Sequence, residues 1–339
     1  MLNNKKKTKT PLEILVTNNN NKHSLEILVN NNNTKLTKDI KNMSIDNNIK
    51  IDNYIMTKNL ILYSYSKFSK SPQIKTQNFY YFLQKGLIAS KNNIYYFIIS
   101  GHEIERELEE ELERKQTEIN SKFPNTFNIV KRDNIGFDFG AYSDIILKVD
   151  YKSYDYFFCI NDSVRGPFLP HWSPEQNWIS IFSSLFDKDV KLVGPTLNYY
   201  RGRPHINSEF FVLDKIGLDI AIKKNIFSKN YITDFGQLCQ NCEVGLSSNI
   251  LDAGYNIKCL CEAYKGVDFR KHRGSSYNES TLMANLNRGG DPLYTNHYYD
   301  RNINIYEVIF IKANRNIDNY LVDKYGEWSL FGNKEYSNK

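Results

Sequence analysis

From Asn59 onward, short apolar runs alternate with longer stretches in which apolar positions recur at helical spacing. The runs NLILYSYS (59–66), NIYYFIIS (93–100), FNIVKR (127–132), YDYFFCIN (154–161) and VKLVGP (190–195) read as strands. Between them, residues 76–88, 103–122, 140–149 and 173–186 read as helices. In the second of these, Ile104, Leu108, Leu112 and Ile119 share one face among many charges, as on an amphipathic surface helix. Strands interleaved with helices of this length predict an α/β fold, a Rossmann-like, mainly parallel sheet flanked by helices. The early strands are continuously apolar, as expected of strands covered on both faces.

Before residue 57 this pattern is missing. No aromatic residue precedes Tyr54, asparagine runs dominate, and LEILVTNNNN (12–21) is echoed by LEILVNNNN (25–33). Low complexity predicts a disordered tail over 1–56, in which the two LEILV pieces pair at most transiently or dock to a partner. The expected organisation is that tail, an α/β domain over 57–316 and a C-terminal extension over 317–339.

Charge follows the same division. The formal net charge is +6, but residues 1–50 hold nine lysines and four acidic residues, a surplus of five. About one positive charge is left for the rest, so a basic nucleic-acid-binding domain is not indicated. No apolar run is long enough for a membrane helix, and KKK at the N-terminus lacks the apolar region of a signal peptide. The expectation is a soluble intracellular protein. Five cysteines, an odd number, suit a reducing compartment. Cys239 and Cys242 with Cys259 and Cys261 provide four thiols, but not at a standard zinc-ribbon spacing, and NIKCLCEAY reads as a strand with core cysteines.

Two stretches carry candidate chemistry. In KRDNIGFDFGAY (131–142), directly after the third strand, Gly136 and Gly140 allow close backbone approach, and Arg132 and Asp138 bring opposite charges. It is not G-x-G-x-x-G, so a dinucleotide fingerprint is unsupported. The second stretch is Asn161-Asp162-Ser163, into which the fourth strand empties before Gly166-Pro167. Asn, Asp and Ser are turn formers. They are equally oxygen ligands for a hard divalent ion that binds substrate phosphates.

A strand, an Arg-x-Asn-x-Gly loop, a helix, and a strand ending in an acidic polar triplet resemble the nucleotide-sugar domain of A-type glycosyltransferases. More specifically, RDNIGFDFGAY, FFCINDSVRGPFLPHW, LVGPT, HINSEFFVLDKIGLDI, CEVGLSSNILDAGYNI, GVDFR and YEVIFIKANR, in this order over residues 59–315, are similar to a group of glycosyltransferases. That group is related to the rhamnan synthesis protein F family and occurs in fungi, plants and large DNA viruses. The resemblance implies an A-type fold and transfer of a sugar from a nucleotide-diphosphate sugar to a glycan, protein or lipid hydroxyl. It implies a nucleotide-sugar pocket at Arg132, Asn134, Gly136, Asp138 and Gly140. It implies a Mn or Mg site at Asp162, with Asn161 or Ser163, and no organic cofactor. Arg165 is expected to offset phosphate charge. The chain departs from the usual Asp-x-Asp triplet in having Asn161 first, and an amide ligand adds no charge.

In the inverting enzymes of this architecture an acidic residue opens a late helix and deprotonates the acceptor. CEVGLSSNILDAGY (242–255) has that form, making Glu243 the candidate general base, although a Glu at a helix start is also an ordinary dipole partner. His205 is a candidate metal ligand or acceptor contact and His272 a candidate phosphate contact; either is equally a structural histidine. The competing reading is a catalytically inactive relative that binds glycan or nucleotide as an interaction module.

Overall fold

The computed structural model describes residues 57–68, 70–273, 291–315, 317 and 319–336, together with three strands nearer the N-terminus. In the first of two compact units, β1 (Glu13–Asn19) and β2 (Lys22–Leu28) pair antiparallel, and β3 (Leu36–Asp39) joins β2. The echoed LEILV segments thus meet as neighbouring strands. The disorder expected for the rest of 1–56 lies outside the described residues.

In the second unit the apolar runs become β4 (Asn59–Tyr65), β5 (Asn93–Ser100), β6 (Phe127–Arg132), β7 (Tyr156–Asn161) and β9 (Val190–Gly194), with β8 (Val164–Arg165) a short strand outside the main sheet. Two further strands, β12 (Phe210–Asp214) and β13 (Asn256–Cys259), complete a seven-stranded sheet of order β13-β9-β12-β7-β4-β5-β6. Every neighbouring pair is parallel except those made by β12. The reason is local. From β9 the chain passes through the hairpin of β10 (Leu197–Tyr200) and β11 (Arg203–Ile206), with no crossover helix to restore direction.

The helices fall between the expected strands, with shifted ends. Helix α1 (Pro72–Lys85) starts at its proline, whose fixed φ and missing N–H suit a first turn. Helix α2 (Arg106–Lys122) buries Leu108, Leu112 and Ile119 as expected. Helix α3 (Phe137–Ile146) begins three residues early, directly after Gly136 at φ 76°. Helix α4 (Trp178–Ser183) starts later than expected because Asn177 caps it, accepting from the amides of Ile179 and Ser180.

Alternation along the strands divides the core. Leu60, Leu62, Phe157, Cys159 and Phe211 pack on one side with α3. Ile61, Tyr63, Tyr65, Phe158, Ile160 and Phe210 pack on the other with α1, α2 and α4. The second side is an aromatic lattice: Phe97 lies 4.6 Å from Phe127, and Tyr63 4.7 Å from Phe79. Trp178 donates its indole N–H to the Gly86 carbonyl at 2.8 Å. Among the described residues no helix is long and apolar enough to cross a membrane.

The chain winds outward from β4 in both directions, to β5 and β6 on one side and β7 on the other. Such a reversal opens a crevice beyond the carboxyl ends of the strands, where open α/β sheets take their ligands. One wall of it is held by Asp144 on α3, which accepts from Arg132 Nε at 2.6 Å, from the Tyr231 hydroxyl at 2.6 Å and from Lys229. Burial works to raise the Asp144 carboxyl, but these three donors hold it down at about 2, against an ordinary 3.8.

Phe97→Ala should cost about 3–5 kcal/mol in denaturant unfolding, since it removes a ring from the middle of the lattice. Asp144→Asn should cost about 2 kcal/mol at pH 7, because Arg132 keeps its charge without its partner. With a depressed carboxyl in the folded state, that contribution is full above pH 4 and fades toward pH 2. Urea unfolding of the two proteins between pH 7 and pH 3 should show their difference narrowing only at the acid end.

Candidate active site

At the crevice, β7 delivers Asn161, Asp162 and Ser163, and β4 delivers Ser66. Asp162 is almost fully buried and has both carboxylate oxygens engaged. Oδ2 accepts the Ser66 amide at 2.8 Å, and Oδ1 pairs with Lys75 Nζ of α1 at 2.5 Å. Its backbone carbonyl accepts from Asn78 Nδ2 at 2.9 Å. Burial pushes the Asp162 carboxyl up, and Lys75 works the other way. Asn161 turns its Nδ2 to Asp138 Oδ2 at 2.8 Å and its Oδ1 to the Ser163 amide at 3.0 Å and hydroxyl at 2.5 Å. The first turn of α3 and the end of β7 therefore meet.

A second acidic group adjoins this corner. The Glu209 carbonyl, just before β12, accepts the Asn161 amide at 2.9 Å. Next to it, the Ser208 amide donates to Glu243 Oε1 at 3.4 Å. Lys312, on β14 (Ile311–Lys312), approaches Glu209 to 3.5 Å. Burial raises both Glu209 and Glu243, and Lys312 opposes it in each case. Lys312 itself is raised although burial works against its charge, because Glu209 lies beside it.

Glu243 does not open its helix, contrary to expectation. Helix α5 (Phe235–Leu238), capped by the Asp234 side chain, runs through a π-turn (Cys239–Glu243) into α6 (Val244–Asp252). Glu243 closes that π-turn inside a longer helix, so an N-terminal dipole does not account for it. π-Turns of this kind accompany functional sites.

The other expected site residues have inward-facing roles. Arg132 is spent on Asp144, on Ser100 Oγ at 3.2 Å and on the Ile135 carbonyl at 2.8 Å. Gly136 and Gly140 are required by packing. A Cβ on Gly136 would sit 2.7 Å from Tyr231 Cβ, and one on Gly140 2.7 Å from the Ile135 carbonyl. Asn134 is the exception and is exposed. Arg165 donates to Asn78 Oδ1 at 2.8 Å, Asp323 Oδ1 at 2.5 Å and Gln77 Oε1 at 3.1 Å, which ties β8 to α1 and to the C-terminal helix (Asn319–Tyr336). His205 is buried, with Nδ1 3.2 Å from the Arg203 carbonyl, and burial lowers its pKa. The backbone carbonyl of His272 accepts from the Tyr199 hydroxyl at 3.3 Å.

Lys75, Glu209 and Lys312 were not singled out from sequence, nor was Phe68. Phe68 is 56% exposed just beyond β4 and lines a groove of about 440 Å³ with Lys67, Pro72, Gln73, Thr76 and Glu105. Only the quoted motifs HINSEFF and FIKANR carried any signal for Glu209 and Lys312.

The donor set does not fit a divalent ion as arranged. Asp162, Asn161 and Ser163 have turned their side-chain oxygens to protein partners. Among the described residues, no three His, Cys, Asp or Glu side chains group as metal ligands. The buried Tyr63 and Tyr142 hydroxyls have no hydrogen-bond partner among the described residues, and burial, with Asp162 adding to it, raises both. Burial holds both as neutral phenols, which are poor ligands for a hard cation.

No family model matches this chain, and no curated protein does. Several solved structures are similar in outline. A mannosyltransferase from Pyrobaculum calidifontis, in complex with GDP-Man and Mn2+, overlays with TM-score 0.38 and 9% identity over 59% of this chain and 54% of that one. An inositol-1-phosphate CTP transferase from T. maritima gives 0.31 and 12% over 60% of this chain and 84% of that one. The catalytic domain of a Drosophila β1,4-galactosyltransferase 7, complexed with xylobiose, gives 0.29 and 10% over 60% and 64%. This chain spans about half the length of the mannosyltransferase. At this degree of overlap neither a family nor a reaction follows from the likeness.

Proposed function

We propose that this protein transfers a sugar from a nucleotide-diphosphate sugar to a hydroxyl of a glycan, protein or lipid acceptor. One observation carries the reading: Asp138, Asn161 and Asp162 converge in the crevice beside β4, and Glu243 adjoins them through Ser208 and Glu209. The ordered motifs of the sequence support the same assignment. In this reading the nucleoside lies along Phe68 and its groove, and the diphosphate lies at the corner of Asp162 and Lys75. Asn161 and Asp138 face the sugar. Arg132, Gly136, Gly140 and Arg165 hold the walls.

Glu243 is the group for the acceptor proton. A base works best when its pKa lies near the working pH, and burial moves Glu243 in that direction. As the bond to the diphosphate breaks, the sugar gains oxocarbenium character, so an acceptor oxygen losing its proton to Glu243 gains nucleophilicity where positive charge develops. Lys312 keeps Glu243 and Glu209 from repelling one another in a buried space.

The test is turnover with UDP-, GDP- and dTDP-sugars, followed by mass spectrometry of acceptor and released nucleotide. Glu243→Gln should lower kcat by at least about 100-fold with little change in donor KM. Wild-type kcat should climb with pH through a carboxyl pKa above the usual 4.5, because the base must be ionised. Full activity in Glu243→Gln would remove it from the chemistry. Phe68→Ala should raise donor KM about tenfold, matching loss of one base-stacking contact. A binding-only role is favoured by the amide at Asn161, where an acid is usual. Nucleotide-induced thermal stabilisation without turnover on any donor would establish that role instead.

A further inference from the structure

We propose that Lys75 is the built-in cation of the diphosphate corner, so that this site binds a nucleoside diphosphate without a divalent metal ion. The proposal rests on the donor-binding reading above. A metal at such a corner needs carboxylate oxygens free to face it. Here Asp162 Oδ1 is held by Lys75 Nζ at 2.5 Å and Oδ2 by the Ser66 amide at 2.8 Å. Asn161 Oδ1 receives the Ser163 amide and hydroxyl, and its Nδ2 faces Asp138. All three positions of the triplet are closed from within.

A dication on Asp162 would also share one carboxylate with an ammonium already in contact. At this range and in a poorly solvated corner, their repulsion would offset much of the attraction. Lys75 already brings to Asp162 the positive charge that such an ion would supply. Its side chain is 14% exposed against 5% for Asp162, so the lysine is the more accessible partner of the pair.

The chemistry of the ammonium suits this task. It has three donors, of which the ion pair with Asp162 uses one, and a compact point charge binds phosphate well. Asp162 fixes its place, and Asp138 in the first turn of α3 senses its charge. The neighbouring cations are committed elsewhere: Arg132 to Asp144, Arg165 to Asn78 and Asp323, and Lys312 beside Glu209. Lys75 comes from the first helix after β4, at the reversal of strand order where the crevice opens. A second ion pair to a phosphate oxygen would leave Asp162 and its partners undisturbed.

Isothermal titration of the full chain with UDP, GDP and dTDP, first in EDTA and then with Mn2+, tests this. At least one diphosphate should bind in EDTA, with Kd within about threefold of its value in Mn2+. Lys75→Met should weaken that binding by about tenfold or more in either buffer, and Lys75→Arg should recover most of it. Because Lys75→Met leaves a buried carboxylate unpaired, the double variant Lys75→Met with Asp162→Asn guards against misfolding and should also lose binding. Binding that appears only with Mn2+ would overturn the proposal while leaving the donor-binding reading intact. Wild-type affinity in a folded Lys75→Met protein would do the same. No binding of any diphosphate in either buffer would overturn both.

Discussion

The structure turns on a buried carboxylate that must be satisfied. Asp162 lies at the point where β4 and β7 part, and an ionised side chain there is tolerated only with partners at both oxygens. The Ser66 amide and Lys75 provide them, and Asn78 takes up the neighbouring carbonyl. Those contacts fasten the loop after β4 and the first half of α1 to the end of β7. The requirement that stabilises the sheet edge thus also shapes the crevice. A polar triplet that looks like a ligand set in isolation works here as a clasp.

From that clasp the order extends in two directions. Through Asn161 it reaches Asp138 on one side and the Glu209 carbonyl on the other, which sets Glu243 beside the corner. Through Asn78 it reaches Arg165, whose remaining donors bind Gln77 and Asp323. The C-terminal helix is therefore fastened to α1, and Ser329 adds a 3.1 Å hydrogen bond to the Tyr81 hydroxyl. The Gly166-Pro167 turn belongs to the same framework. A Cβ on Gly166 would lie 2.6 Å from the Ile309 carbonyl, which accepts the Phe168 amide at 2.8 Å. This close crossing lets β8 pair with β14 and brings Lys312 to Glu209.

Much of the sheet was legible because its strands are set by local composition. FNIVKR and NIYYFIIS become strands with the expected ends, and the continuous apolar run of NIYYFIIS is buried on both faces. Helix ends were less legible. They depend on Pro72, Gly136 and Asn177, whose effects on φ and capping are not carried by apolar spacing. The antiparallel direction of β12 was not legible, because it depends on the hairpin before it rather than on its own residues. Asp138, Asn161 and Asp162, which the fold brings together, stand out in the sequence because their motifs mark polar segments at strand ends. Lys75 does not, because nothing in PQIKTQ distinguishes it from a solvated helix lysine.

By itself, the sequence determined the α/β class, the main strands, the polar loops at their ends and the confinement of excess charge to the N-terminal region. Those properties depend on neighbours within a few residues, where hydrophobic periodicity and turn chemistry act. The tertiary structure alone decided which charges meet. It paired Asp162 with Lys75 and Arg132 with Asp144, set Lys312 beside Glu209, and placed Glu243 in a π-turn rather than at a helix start. The partners are far apart in the chain, and a charge's role depends on the buried partner it finds. Closing the fold therefore separated wall residues from those left facing the crevice.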